Sequence, residues 1–314
     1  MQDAKYVIKV ASRLSGLSPY VIRAWEKRYG VVHPERTDSN RRMYSNEEVE
    51  HLRLLRKLTE AGYPIGSIAG MTTDALRLLL EGEEGRGREA AGAADTESAP
   101  QRLRAQLLEH AKKLDGTGME RLLVEGSVLF SHRVLLEEVV IPFVEDVGRG
   151  WKDGSLRIAH EHVATAAVRN LLTNLLYDAQ PTADAPSLIV STPQGQAHEL
   201  GALIGANIAV MSGWDVTWLG PDLPAEEIAA SAREIAAVAV LLSIVYPPDD
   251  PRIHVELANL ADMLLPGVSI VVGGRSAPGY RDTIDRIDGC LLESMDHLWD
   301  WLDRRRSADD GCLS

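Results

Sequence analysis

His198 sits in the stretch TPQGQAHELGA, directly after a short apolar run (SLIVS) and three residues before Gly201, which opens an apolar helix-like segment. A lone histidine in a loop is most often structural. Here Gly195, Ala197 and Ala202 keep its surroundings small enough for a large planar ligand, and an imidazole is a good donor to a transition-metal ion. A second set is Trp151, followed after nine residues by Glu161-His162 in WKDGSLRIAHEH. Asp153-Gly154-Ser155 is a turn signal, so the three side chains can converge across a helical hairpin, or they are a core tryptophan beside a solvated pair. A third set is basic and aromatic: Tyr20, Arg23, Trp25, Lys27 and Arg28, then Arg36, Arg41, Arg42 and Tyr44. Those residues suit phosphate and base edges in a major groove.

Three kinds of element must position these groups. Around the basic set, Gly16 makes a turn between a helix carrying Val10, Ala11 and Leu14 and a second helix with Ser18 as N-cap and Pro19 at its first position. Residues 81–100, rich in Gly, Ala and charge, read as a flexible linker. From Gln101 to Asp178, apolar residues recur every three or four positions (Leu103, Leu107, Leu114; Leu135, Leu136, Val139, Val140, Phe143), which predicts a four-helix bundle. From Ser187, near-continuously apolar strands alternate with helices five times, which predicts a doubly wound, flavodoxin-like parallel sheet. Ligands of such sheets lie at the carboxyl ends of the strands. His198, Ser243 in LLSIV and Gly273-Gly274 in VSIVVGG all fall there. No GxGxxG follows the first strand, which disfavours a dinucleotide-binding dehydrogenase.

The formal net charge is -13, yet residues 1–60 hold 12 Lys/Arg against 8 Asp/Glu, leaving 21 against 38 in the remainder. A basic module on an acidic body fits a nucleic-acid partner, because phosphate attraction is local. Two cysteines, Cys290 and Cys312, are too few for a disulfide framework and make no CxxC pair. With no basic-then-apolar leader and no long apolar run, a cytoplasmic protein with no membrane partner is expected.

The block over residues 5–72 resembles the MerR-family winged helix-turn-helix, through Arg23, Trp25 and Glu26 in the recognition helix and Pro34, Arg36, Arg42 and Tyr44 in the wing. Ser39-Asn40 replace a usual wing glycine. A small helical domain without a DNA role is the plainer alternative. His198 and Gly201 resemble the histidine-on, base-off cobalamin motif, an acid-x-His-x-x-Gly, with Gln196 in the acid's place. A carboxylate there would accept the second ring N–H of His198; glutamine can accept that bond but cannot take up charge. Ser243 resembles the Ser-x-Leu element, with Val245 for leucine, and Gly273-Gly274 the glycine pair beside the nucleotide tail. With the head, Trp151-x9-Glu161-His162 resembles the CarH/LitR photoreceptors.

That resemblance implies four parts: residues 1–75 binding DNA, a linker over 76–100, a four-helix bundle over 101–182 covering the upper cobalamin face, and a Rossmann-like cobalamin domain over 183–314. It further implies adenosylcobalamin as cofactor, His198 on cobalt, and Trp151 over the adenosyl group with Glu161 and His162 as polar contacts. The expected function is a repressor that binds a double-stranded operator as a dark homo-tetramer and falls to a smaller species in light. Lys152 replaces the histidine that caps cobalt after photolysis in thermophilic members, leaving a water, His132 or His160. The alternatives are a regulator sensing another cobalamin or tetrapyrrole without light, and a corrinoid enzyme subunit, for which a DNA-binding head would be unexplained.

Overall fold

A computed structural model describes residues 5–17, 19–37, 41–60, 63, 65–86, 98–178, 181–182 and 184–306. The chain forms two compact units, residues 1–171 and 172–314. Ser18 and Ser39-Asn40, expected as helix cap and wing tip, lie outside the described residues, as does the side chain of Tyr20.

The first unit begins with β1 (Lys5–Val7), α1 (Ile8–Ser15) and α2 (Pro19–Tyr29), followed by the wing strands β2 (Glu35–Arg36) and β3 (Arg42–Ser45). The strands form one antiparallel sheet in the order β1-β3-β2. Gly16 ends α1 at φ 74°, and a Cβ there would meet Arg56 Nε at 2.8 Å, so the expected turn needs glycine twice over. Ala11 is buried, but Leu14 faces outward at 44% exposure, so the core face of α1 differs from the expected one. α3 (Asn46–Glu60), α4 (Ile65–Ile68) and α5 (Thr73–Arg86) complete the head. Leu76 is buried in the head core, with Leu79 and Leu80 packed against it. That three-to-four spacing draws α5 through Arg86, into the segment expected to be linker.

α6 (Ala99–Lys112) opens with a capping box: Ser98 Oγ accepts from Gln101 N at 3.3 Å while Gln101 Oε1 accepts from Ser98 N at 2.8 Å. α7 (Gly116–Leu129) is capped by Asp115. Where α6 and α7 pack, a Cβ on Gly126 would lie 2.6 Å from Leu103. α8 (His132–Val134) runs through a π-helical turn (Leu135–Val140) into α9 (Ile141–Asp153), which Gly154 ends at φ 82°. α10 (Ile158–Asp178) follows; its residues from Leu172 belong to the second unit.

The second unit continues with β4 (Ser187–Pro193), α11 (Leu200–Met211), β5 (Asp215–Leu223), α12 (Ala225–Glu234), β6 (Ala239–Ser243), α13 (Pro251–Met263) and β7 (Ser269–Gly273). A 3-10 turn (Ala277–Tyr280), α14 (Arg281–Arg286), β8 (Cys290–Leu291) and α15 (Met295–Arg306) close it. The five strands are parallel in the order β5-β4-β6-β7-β8, the flavodoxin-like winding expected from the sequence. β4 is buried at six of its seven positions and β6 at all five, as a sheet covered on both faces requires. Trp214 stacks on Trp301 at 5.8 Å, pinning α15 below the sheet edge. Among the described residues no helix is long and apolar enough to cross a membrane.

Candidate functional sites

In the head, the helical period of α2 sorts its side chains. Val21, Ile22 and Trp25 are buried, while Arg23 and Lys27 are exposed. Glu26 lies between the two faces and receives Arg42 Nε from β3 on both carboxylate oxygens, at 3.0 and 2.8 Å. The Tyr44 hydroxyl donates to Glu26 Oε2 at 3.4 Å. The hydrogen bond to Glu26 holds the Arg42 pKa above its ordinary value, and burial, then the nearby Glu26 charge, raises that of Tyr44. The wing is thereby fastened to the recognition helix. Between them lies an open basin of about 660 Å³ lined by Arg23, Lys27, His33, Arg36 and Arg42, with Glu26 its acid.

Two expected DNA-contacting residues need correcting. Trp25 and Tyr44 are fully buried in the head core and offer no surface to a groove. Trp25 Nε1 instead donates to the Val128 carbonyl at the end of α7, and Val128 itself joins the head core. Arg28 also turns to the bundle: its guanidinium is 3.7 Å from Glu125 and sits 5.6 Å from the Tyr29 ring centre. Arg36 and Arg41 stay exposed on the wing, whose strands are tied by Thr37 N to Arg41 O (3.0 Å) and Arg41 N to Thr37 Oγ1 (3.2 Å). Sequence reasoning missed the Ser45-x-x-Glu48 capping box. Glu48 Oε2 accepts from Ser45 N at 2.9 Å, and its Oε1 from His33 N at 2.8 Å, so one acid holds both the helix start and the wing base. The S-x-x-E spacing was the signal available.

On the bundle, Trp151 ends α9 with half its surface exposed. Glu161 and His162 open α10, with His162 Nδ1 2.7 Å from Glu161 Oε2 and Thr165 Oγ1 donating to Glu161 Oε1 at 2.8 Å. No described hydrogen bond or ring contact joins Trp151 to that pair. Of the two histidines considered as alternative caps, His160 is buried and its Nδ1 accepts from Arg157 N at 2.8 Å. His132 Nε2 is enclosed without a partner, and burial lowers the ring's pKa to about 4.

The carboxyl edge of the parallel sheet gathers the remaining candidates. His198 lies exposed in the β4–α11 loop, with no hydrogen bond from its ring among the described residues. Ser243 ends β6; its Oγ is buried without a hydrogen-bond partner and faces Gly201, where a Cβ would come within 2.6 Å. Gly273 ends β7, and Gly274 follows at φ 103° with the Ile244 carbonyl so near that a Cβ would sit 2.4 Å away. Only glycine fits there.

The structure revises the place given to Gln196. Its side chain is fully buried and bonded to the loop after β6. Oε1 accepts from Val245 N at 3.0 Å and from Tyr246 N at 3.3 Å, and Nε2 donates to the Tyr246 carbonyl. A carboxamide oxygen has two lone pairs. Both are taken, so Gln196 has no acceptor left for the imidazole N–H. On the other side of the loop, Gly195 N donates to Asp222 Oδ1 at 2.7 Å and Asp222 N to Thr192 Oγ1 at 2.8 Å.

The arrangement suits a large ligand that brings its own polar groups. A buried hydroxyl without a hydrogen-bond partner, a glycine packed against it with no Cβ, and an exposed imidazole with no partner among the described residues share one edge. Comparisons with known proteins agree. Residues 6–75 match the family of MerR HTH regulatory proteins, and residues 103–176 and 186–290 each match a B12 binding domain. The chain is 30% identical to the HTH-type transcriptional repressor CarH of Myxococcus xanthus, over 96% of this chain and 99% of that protein. It is 28% identical to the repressor CarA of the same organism, over 93% and 94%. The structure of the Methanosarcina barkeri monomethylamine corrinoid protein overlays on 66% of this chain and all of its own, with a TM-score of 0.53 and 16% identity, which shows the fold.

Proposed function

The chain belongs to the CarH-type transcriptional repressors, in which a MerR-type head is joined to cobalamin-binding domains, and from that premise we propose that it represses in the dark and is released by light. Cobalamin binding and repression follow from the family. Adenosylcobalamin as the form bound, the tetramer and the light response are our reading.

The observation that carries the ligand assignment is the partnerless, buried Ser243 Oγ facing Gly201, beside the exposed ring of His198. A hydroxyl kept from water without a hydrogen bond costs about 1–3 kcal/mol, a cost that a ligand's acceptor removes. His198 would hold cobalt through a ring nitrogen, Ser243 would hold a polar group of the ligand, and Gly201, Gly273 and Gly274 would leave room along the strand ends. On the bundle, Trp151 would supply an apolar cover and Glu161-His162 polar contacts. When bound, adenosylcobalamin supplies a cobalt–carbon bond that light breaks. His160 is buried and His132 Nε2 enclosed, while Lys152 is exposed, so water is our expected cap in the illuminated state.

For DNA, Arg23, Lys27, Arg36 and Arg41 would meet phosphates and base edges, with the Glu26–Arg42–Tyr44 cluster holding the wing. Single heads of this size bind weakly. Four heads on one assembly raise the effective concentration at an operator of repeated sites. The ligand shifts the balance only if it favours the DNA-competent assembly.

The test is one experiment on the full chain loaded with adenosylcobalamin. Its absorption spectrum, size-exclusion elution and operator binding are measured before and after green light. The reading expects retention of the cofactor, a large dark species and loss of both size and DNA binding in light. A chain that retains no cobalamin overturns it; retention with unchanged size and DNA binding makes the protein a light-independent cobalamin sensor.

A further inference from the structure

We infer that Gln196 is a positioning residue that locks the loop carrying His198 to the loop after β6, in place of the ring partner that an acid at this position would be. The inference rests on the reading of His198 as the cobalt ligand.

The contact is a paired one. Gln196 Oε1 accepts two backbone N–H groups, from Val245 and Tyr246, while its Nε2 donates to the Tyr246 carbonyl. The orientation of the carboxamide follows, since the flipped form would set an NH2 against two donors. A carboxylate could accept the two N–H groups but would then place a charged oxygen against the Tyr246 carbonyl. Aspartate is also one methylene too short to span the same gap. Glutamine alone among the three fits both halves of the contact.

The lock extends across the whole edge. Thr192 Oγ1 donates to the Gln196 carbonyl and Gln196 N to Pro193 O at 3.0 Å, so the side chain leaves from a fixed backbone. Val245 passes the connection on, because its carbonyl accepts from Ser276 Oγ at 2.7 Å. Ser276 N donates to Ile244 O at 3.0 Å, and Ile244 N to Gly273 O at 2.8 Å. The loops after β4, β6 and β7 are thus one hydrogen-bonded chain. It sets His198, Ser243 and Gly273-Gly274 in fixed relation before any ligand arrives. The imidazole, in exchange, has no acceptor among the described residues to orient its far nitrogen. Placement of the loop replaces direct support of the ring.

Amide hydrogen exchange on the cobalamin-free full chain, in wild type, Gln196→Glu and Gln196→Met, tests the lock. Protection of the Val245 and Tyr246 amides should fall about 10-fold or more in Gln196→Met, which has no acceptor, with head amides unchanged. It should fall by less in Gln196→Glu, which keeps the acceptor but sets a charge against the Tyr246 carbonyl. The second arm uses hydroxocobalamin and the absorption bands of imidazole-ligated cobalt. Both variants should retain it about 10-fold less tightly, with a smaller imidazole-ligated fraction at saturation. If Gln196 served His198 directly, Gln196→Glu would bind more tightly and Gln196→Met would leave the two amides protected. That outcome overturns the inference. The exchange arm needs no cobalamin, so a wild type that fails to retain hydroxocobalamin defeats the functional reading while the lock is decided by exchange alone.

Discussion

In the winged head, Trp25, Glu26, Arg42 and Tyr44 satisfy one another or a neighbouring helix; at the sheet edge, the His198 ring and Ser243 Oγ have no hydrogen-bond partner among the described residues. Both groups come from the most recognisable motifs in the sequence. DNA is met by exposed charges, so Trp25, Glu26, Arg42 and Tyr44 can build a rigid frame beneath them while Arg23 and Arg36 of the same motif stay exposed. A cofactor that penetrates the fold has to be met by polar groups already withdrawn from water. Those cannot also be used for stability. The buried part of the head's motif is therefore structural, whereas on the proposed reading Ser243 at the sheet edge gives up stability for binding.

Trp25 is the sharpest place to break that contrast. Trp25→Ala removes the largest buried side chain of the head and its bond to the Val128 carbonyl, and should cost about 3–5 kcal/mol. Urea unfolding should show an early transition for the head while the parallel-sheet unit is unmoved. Trp25→Phe keeps most of the volume but strands the Val128 carbonyl, and about 1 kcal/mol should be lost. A Trp25→Ala protein as stable as wild type, with weakened DNA binding, would return Trp25 to the contact surface.

The bundle holds an intermediate case in His132, whose Nε2 is enclosed without a partner and whose pKa burial holds near 4 against an ordinary 6.5. The folded state favours the neutral ring. Its stability is therefore complete above about pH 6.5 and is lost as pH falls towards 4, by about 2–3 kcal/mol. His132→Met should abolish that part of the acid sensitivity, read as the difference between urea midpoints at pH 7 and pH 4. An equal loss in both proteins would assign the acid response elsewhere.

Ser243→Ala reverses the usual direction of a mutation at a buried site. Without cobalamin it should raise stability by about 1 kcal/mol, because it removes an unsatisfied hydroxyl, while lowering cobalamin retention. Thermal melts with and without ligand check both halves. A destabilised ligand-free variant would mean that Ser243 has a protein partner after all.

The parts legible in the sequence were those with a local signature. Near-continuous apolar strands separated by helices announced a parallel sheet covered on both faces. His198, Ser243 and Gly273-Gly274 were placed by the strands they follow. What stayed hidden depends on groups distant in the chain. The acceptor for Trp25 is 103 residues away, and the donors to Gln196 are 49 and 50 residues away and belong to the backbone, which carries no residue code. The run EGEEGR concealed a helix for the opposite reason. Its composition says linker, but Leu76 is buried in the head core beneath Leu79 and Leu80, and the helix continues past them to Arg86.

The smallest expected effect separates frame from contact inside the head itself. Arg23 is exposed beside the basin, whereas Arg42 is held by both oxygens of Glu26. Removing one phosphate contact lowers the slope of log affinity against log salt by about one and leaves stability nearly unchanged. Arg23→Ala should do that. Arg42→Ala should instead loosen the wing, costing about 1 kcal/mol of head stability and weakening binding with a salt slope close to wild type. The two variants therefore differ in how affinity depends on salt, even if they lose equal affinity at one concentration. Equal slopes in both would place Arg42 on the DNA, and the division between a satisfied frame and an exposed charge would fail in the region where it is drawn most firmly.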